Sequence, residues 1–204
     1  MREHPIFARV YERLALACDR AGERDHRIEM AGGAAGRVLE VGAGTGLNFE
    51  HYGEGSTVTA LEPDPTMLRF AGERADRAPV PVRLVRGVAE ALPFPDDAFD
   101  TVVVSLALCS VRYPHQVAGE MHRVLRRDGE LRFLEHVRSP SPGWAMVQDV
   151  VTPLWSVFSG GCHPNRDTVA TLQEAGFVVT SRRFPFGPPS PARPHVLGTA
   201  RTNP

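Results

Sequence analysis

The segment Glu40-Val41-Gly42-Ala43-Gly44-Thr45-Gly46 is the part of this chain whose residue types and spacing speak most directly of chemistry. It lies between an apolar strand-like run, Val38 to Val41, and a helix. Alternating glycines permit positive φ and let a ligand approach backbone that a Cβ would block. Such a turn places its ligand beyond the carboxyl ends of a parallel sheet. The spacing is G-x-G-x-G, with Leu47 where the dinucleotide fingerprint needs its third glycine. About twenty residues further on, Glu62 ends a second apolar run, where a carboxylate can accept hydrogen bonds from both hydroxyls of a ribose. The plainer reading of Glu62 is an acid ahead of a helix N-terminus, although Asp64 is the better cap for a helix starting at Pro65. Loop and acid together define a nucleoside site without fixing which nucleoside.

Composition excludes several chemistries. All 23 basic residues are Arg, so neither a Schiff-base lysine nor a P-loop lysine exists. The 24 acidic residues leave a net charge of −1, which argues against a dedicated nucleic-acid binder. Cys18, Cys109 and Cys162 are too few and too scattered for a disulfide frame. With no C-x-x-C and irregular spacing to His136 and His163, they predict no metal site. No apolar run reaches the ~20 residues of a membrane span. Arg2, Glu3 and His4 lead into no secretory h-region, so the expected setting is the cytoplasm, without a stable membrane anchor.

The elements that must position these residues alternate as an α/β sheet requires. With 204 residues, 42% of them apolar, the chain supports a single domain. Residues 1–35 read as a helical cap broken at Gly22, with Ile6, Phe7, Val10, Tyr11, Leu14 and Cys18 on one apolar face. Strands are predicted at Val38–Val41, Thr57–Leu61, Val80–Val85, Phe99–Leu106, Glu130–Val137, Phe177–Phe184 and Val196–Ala200. Pro81 marks the third as an edge strand or a strand start. Helices are predicted at Pro65–Ala75, His115–Leu125 and Arg166–Ala175. Trp144 to Phe158 has helical spacing interrupted by Pro153, which predicts a kink or two short helices. The proline-rich stretch Pro185–Pro194 predicts a stiff connection of the kind that serves as a lid.

Four segments in this order resemble the class I S-adenosylmethionine-dependent methyltransferases with a type 11 core: Val38 to Gly46, Ala60-Leu61-Glu62-Pro63-Asp64, Ala89-Glu90-Ala91-Leu92-Pro93-Phe94 and Phe99-Asp100-Thr101-Val102-Val103. The resemblance implies a Rossmann-like, doubly wound α/β fold over residues 36–204, with a seven-stranded, mostly parallel sheet and an antiparallel last strand. It implies S-adenosyl-L-methionine as cofactor. An acid at Glu40 suits the ammonium of that cofactor and would repel a pyrophosphate. By position, Glu40, Gly42, Ala43 and Gly44 line its methionine portion, and Glu62 with Pro63 holds its ribose. Met67 lies by the adenine or simply in the core. Ala89 and Glu90 meet the adenine edge, and Ser105 and Leu106 face the sulfonium. Two positions depart from the family pattern: Val88, where relatives often carry Asp, and the turn Arg126-Arg127-Asp128-Gly129.

Further segments, Leu108-Cys109-Ser110-Val111, Glu135-His136-Val137 and Gly160-Gly161-Cys162-His163 followed by Arg166, resemble the alkyl thiol methyltransferases. The implied reaction is methylation of a small apolar acceptor, preferably a thiol. O- or N-methylation of a natural product, quinone precursor or lipid headgroup is the rival, and a non-catalytic cofactor-binding module a third reading. A thiol ionises near pH 8.5, so a weak base suffices. His136, beside Glu135 at the end of a strand, is the candidate base, the alternative being a pocket brace. His163 and Arg166 are candidates for a polar acceptor wall or for holding an acidic substrate, and His195 for a group reaching in from the last strand. Cys109 sits at the acceptor end as a small apolar residue. Tyr11 either packs on the core or turns its hydroxyl into the pocket. Trp144, Trp155 and Phe158 suggest an apolar pocket under a helical cover. Nothing in the sequence fixes the oligomeric state.

Overall fold

The computed structural model describes residues 5–202, with side chains from Ala8 onward. Helix α1 (Pro5–Cys18) leads through a π-helical turn at Asp19–Glu23 into α2 (Arg24–Gly32). Gly22, at φ 114°, makes the break between them. The face that α1 turns inward differs from the expected one. Ala8 and Ala15 are buried, whereas Val10 and Leu14 are 51% and 62% exposed and Cys18 lies at the surface. An ion pair between Glu12 and Arg74 anchors the helix to α3 (Pro65–Ala75) and sets this rotation. Ile6 and Phe7 lie outside the residues with described side chains, and Arg2, Glu3 and His4 outside the described chain.

Seven strands follow: β1 (Gly36–Val41), β2 (Ser56–Glu62), β3 (Val82–Arg86), β4 (Phe99–Ser105), β5 (Leu125–His136), β6 (Phe177–Pro185) and β7 (Pro194–Thr202). They form one sheet in the order β3-β2-β1-β4-β5-β7-β6. The first five are parallel, and β7 runs antiparallel to both its neighbours. Pro81 directly precedes the edge strand β3, where no ladder donor is missed. Strand β5 begins before the Asp128-Gly129 turn, through an irregularity opposite Phe99 and Thr101.

Period-two patterning divides the core. Leu39, Val41, Val102 and Val104 face one side, packed with Val117, Met121 and Leu172 from α4 (Pro114–Val124) and α6 (Thr168–Glu174). Val38, Val58 and Val103 face the other, with Met30 of α2, Phe49 and Ala71. Both faces are covered, as a parallel sheet requires.

Helix α5 (Pro142–Phe158) runs through Pro153 as one element, so the alternative of two short helices does not hold. Pro153 and Asp149 are exposed, so the Asp149 carbonyl that loses its helical donor is open to water. The proline-rich stretch is a hairpin tip: Phe186 N–H donates to the Arg193 carbonyl at 2.9 Å, and Gln148 Nε2 donates to the Pro191 carbonyl at 2.8 Å. It borders a cavity of about 470 Å³ with Trp144, Phe184 and His195, away from the glycine loop. Among the described residues, no helix is long and apolar enough to cross a membrane.

Candidate active site

Strands β1, β2, β4 and β5 end on the same edge of the sheet, and the strand order reverses between β1 and β4. A ligand crevice is expected there. A cleft of about 660 Å³ opens at this edge, lined by Gly42, Gly44, Glu62, Pro63, Met67, Ala89, Glu90, Ser105, Leu106 and Tyr11. Ten predicted positions thus converge on one surface.

Local geometry explains why. Gly42 turns the chain at φ 71°, and a Cβ there would stand 2.7 Å from Ala107 Cβ, so β1 and the loop after β4 meet only because this residue is glycine. Glu62 ends β2 with its side chain returning to the loop. Its Oε2 accepts the Gly44 N–H at 2.9 Å and its Oε1 accepts the Asp64 N–H at 2.9 Å. Asp64, not Glu62, caps α3, accepting from Thr66 N–H at 2.6 Å. Each Glu62 oxygen therefore keeps a lone pair for a vicinal diol. Burial pushes the Glu62 carboxyl up, against the two backbone donors that stabilise its charge. Tyr11 lies across the loop, 3.8 Å from where a Gly44 Cβ would be, and burial raises its hydroxyl to about 12.

Glu40 and Ala43 do not line the cleft. Glu40 lies beneath it, 1% exposed, accepting from Asn48 Nδ2 at 2.8 Å and from the Tyr52 hydroxyl at 2.7 Å. Ala43 packs into the core with Phe49 and Tyr52. Burial lifts Glu40 to about 7, against the Tyr52 and Asn48 hydrogen bonds and Arg27, with Glu62 adding to the rise. A carboxyl that holds its proton more tightly when folded stabilises fully below its ordinary 4.5, and loses that contribution as pH rises through 7. Glu40→Gln, which cannot ionise, should therefore gain stability relative to the parent between these limits, by roughly 3 kcal/mol at most. Melting midpoints of both proteins across the range test this; a constant difference would show an ordinary carboxylate.

The far end of the cleft is bounded by the loop after β4. Leu106, at φ 53°, takes a conformation rare for a side chain of its kind. This bend turns three consecutive amides onto Glu135: Ala107 and Leu108 donate to Oε1 at 2.8 Å and Cys109 donates to Oε2 at 3.1 Å. Arg166 braces the same loop, donating through Nη1 to the Leu108 and Val111 carbonyls at 2.8 Å. That nitrogen is engaged with backbone, and Glu90, while lining the cleft, accepts the Arg112 N–H through Oε1 at 3.1 Å. His163 turns Nδ1 to the Gly161 carbonyl, and its own N–H donates to the Cys109 carbonyl at 2.7 Å. Of the apolar cover expected from α5, Trp144 lines the second cavity, Phe158 is 78% exposed, and Val157 borders the cleft.

His136 ends β5 and does not line the cleft. Its Nδ1 stands 3.4 Å from Cys162 Sγ and 3.6 Å from Cys109 Sγ. Hydrogen bonding to Cys109 and to His136 draws the Cys162 thiol down, whereas the hydrogen bond to Cys162 and burial push Cys109 up. His195 packs its ring 4.6 Å from that of His136, and burial lowers it to about 3.

Sequence reasoning missed a buried network behind the cleft. Arg27, 4% exposed, donates to Asp19 and Glu23 at 2.9 Å and to Asn48 and Ser105 at 3.2 Å. The i,i+4 spacing of Glu23 and Arg27 was the available signal.

Comparison with known proteins agrees with this geometry. Residues 39–133 match the family model described as a methyltransferase domain. The chain is 39% identical over 176 residues to the human thiol S-methyltransferase TMT1B, covering 82% of this chain and 72% of that protein. The chain belongs to the S-adenosylmethionine-dependent methyltransferases. S-adenosylmethionine is its cofactor, and the cleft fits that group: a carboxylate with lone pairs toward the cleft at one end, a glycine turn without Cβ, and an apolar far end. A phosphatidylethanolamine N-methyltransferase from Cereibacter sphaeroides is 41% identical over 103 residues, half of this chain and 51% of its own length. The fold is shared with a SAM-dependent methyltransferase of Thermotoga maritima, 20% identical, with a TM-score of 0.71 over 97% of this methyltransferase and 98% of that chain.

Proposed function

We propose that this methyltransferase S-methylates small, apolar thiols in the cytoplasm. The observation that carries the reading is the make-up of the acceptor end: Leu106, Ala107, Val111 and Val157 wall it, and a Cys-His-Cys cluster lies directly behind. The 176-residue likeness to a thiol S-methyltransferase reaches far beyond residues 39–133, whereas the likeness to the N-methyltransferase spans half the chain. The two closely placed free cysteines suit a reducing compartment.

The bound cofactor supplies an electrophilic methyl group on a sulfonium. This chain's part is alignment, exclusion of water and formation of thiolate. Glu62 fixes the ribose, while Ser105 and Leu106 set the end of β4 against the reacting centre. Tyr11 closes the glycine loop from above. Met67 and Ala89 flank the adenine. The apolar wall desolvates the acceptor sulfur, which raises its nucleophilicity once ionised. His136 acts from within the cysteine cluster rather than as a base facing solvent. Removing its imidazole in His136→Ala therefore removes part of a thiolate-stabilising group.

Incubating the enzyme with S-adenosylmethionine and a panel of alkyl thiols, phenols, carboxylates and amines tests the assignment. S-adenosylhomocysteine is expected with thiols and at no comparable rate with the others. Turnover confined to amines or phenols would replace this reading by N- or O-methylation.

A further inference from the structure

We propose that Cys109, His136 and Cys162 form a three-ligand zinc site whose fourth position takes the acceptor thiolate. The three ligand atoms lie within 4.8 Å of one another. Zinc bonds of about 2.3 Å to sulfur and about 2.0 Å to nitrogen give a tetrahedral S···N edge of about 3.5 Å. The two S···N separations, 3.4 and 3.6 Å, fall on either side of that value. One imidazole nitrogen offers a single lone pair or a single hydrogen, so it serves one of the two sulfurs at a time and leaves the other to the neighbouring thiol or, for Cys109, to the Ser110 hydroxyl at 3.5 Å. A cation at the centre satisfies all three groups together.

The frame is rigid in the way metal sites require. Glu135 clamps the amide of Cys109 and the two before it. Positive φ at Gly160 and Gly161 brings Cys162 onto Cys109, and a Cβ at Gly161 would stand 3.0 Å from the Ser110 carbonyl oxygen. The His163 N–H to Cys109 carbonyl bond joins the two cysteine segments. The buried Trp155 indole N–H, close to Cys162, has no oxygen or nitrogen acceptor and is available to a ligand sulfur.

Donor type and number select the metal and its use. Two sulfurs and one imidazole suit zinc, and three protein ligands with one open position mark a reactive rather than a structural centre. The open position belongs to the acceptor because the residues flanking each cysteine wall the acceptor end: Ala107 and Ser110 beside Cys109, and Ser159 and Gly160 just before Cys162. A thiol that coordinates there gives its S–H proton to water and its sulfur lone pair to the metal. The metal site stands on the geometry; its service to the acceptor rests on the thiol reading.

Full-length enzyme, purified with its cysteines reduced and loaded with zinc or cobalt(II), provides the test. Bound zinc should survive gel filtration, and cobalt should show thiolate-to-metal charge-transfer absorption that shifts when an alkyl thiol is added without S-adenosylmethionine. Cys162→Ser should weaken zinc binding roughly 100-fold, and stripping the metal should lower kcat/KM for thiols by a similar factor. Absence of charge-transfer absorption in the parent protein would overturn the site whether or not the variants fold. Undiminished thiol methylation by metal-free enzyme would overturn the acceptor role and leave the thiol reading intact. Bound zinc with no thiol turnover would support the site and overturn that reading.

Discussion

Glu62→Ala should weaken binding of S-adenosylhomocysteine roughly 100-fold, measured by titration calorimetry. The carboxylate has two demands on each side. Toward the protein it accepts the amides of Gly44 and Asp64, both at 2.9 Å. Toward the cleft, in the proposed binding mode, its free lone pairs accept two ribose hydroxyls. Hydrogen bonds to a charged acceptor contribute about 1.5–3 kcal/mol each, so losing both ribose contacts accounts for the expected factor at the lower end of that range. Glu62→Gln keeps one carbonyl oxygen but turns an NH2 toward a backbone N–H, and roughly a tenfold loss is expected. Because the same side chain pins the glycine loop, the melting point of each variant without ligand must be compared as well. Unchanged affinity in a folded Glu62→Ala protein would place the ribose elsewhere and remove the basis of the cofactor geometry.

The cofactor half was legible because its information is local. A run of β-branched residues from Thr101 to Val104 makes a central strand, and alternating glycines after Val41 make a turn whatever the rest of the chain does. Glu62 could be weighed against Asp64 because proline at position 65 marks where the helix begins. Rotation of α1 was not legible: Val10 and Leu14 match an apolar stripe, but the Glu12 to Arg74 pair joins elements far apart in the chain and decides which side faces in. The chain does not split into two helices at Pro153 because a surface helix can leave one carbonyl to water.

The acceptor half depended on register. Cys109, His136 and Cys162 come from the loop after β4, the end of β5 and the turn after α5, and no spacing rule links them. Their meeting needs Leu106 in a left-handed conformation and the glycine pair at 160 and 161. The expectation that irregular spacing excludes a metal site holds for motifs carried on one loop. It does not reach side chains brought together at a sheet edge, as Cys109, His136 and Cys162 are. Arg166 also braces two backbone carbonyls through Nη1, a role that its charge alone did not reveal.

Arg27→Met is expected to destabilise the fold by about 3–5 kcal/mol, a drop of roughly 10 °C in melting midpoint for a domain of this size. Arg27 and Glu23 are 4–5% exposed at their side chains, and Asp19 is 10% exposed. A guanidinium so enclosed is held charged by these carboxylates, against the cost of desolvation. Removing it strands the Glu23 carboxylate beside His195 at 3.9 Å, an imidazole that burial keeps neutral near pH 7. The effect should reach the active site, since Arg27 also donates to Ser105, which lines the cleft, and to Asn48, which holds Glu40. Adding Glu23→Gln to Arg27→Met removes the stranded charge and should recover part of the lost stability, giving a coupling energy in a double-mutant cycle. If the single variant melts with the parent, the buried ions are incidental. If it melts low and the pair recovers, the π-helical turn at residues 19–23 ties the N-terminal helices to the floor of the cleft.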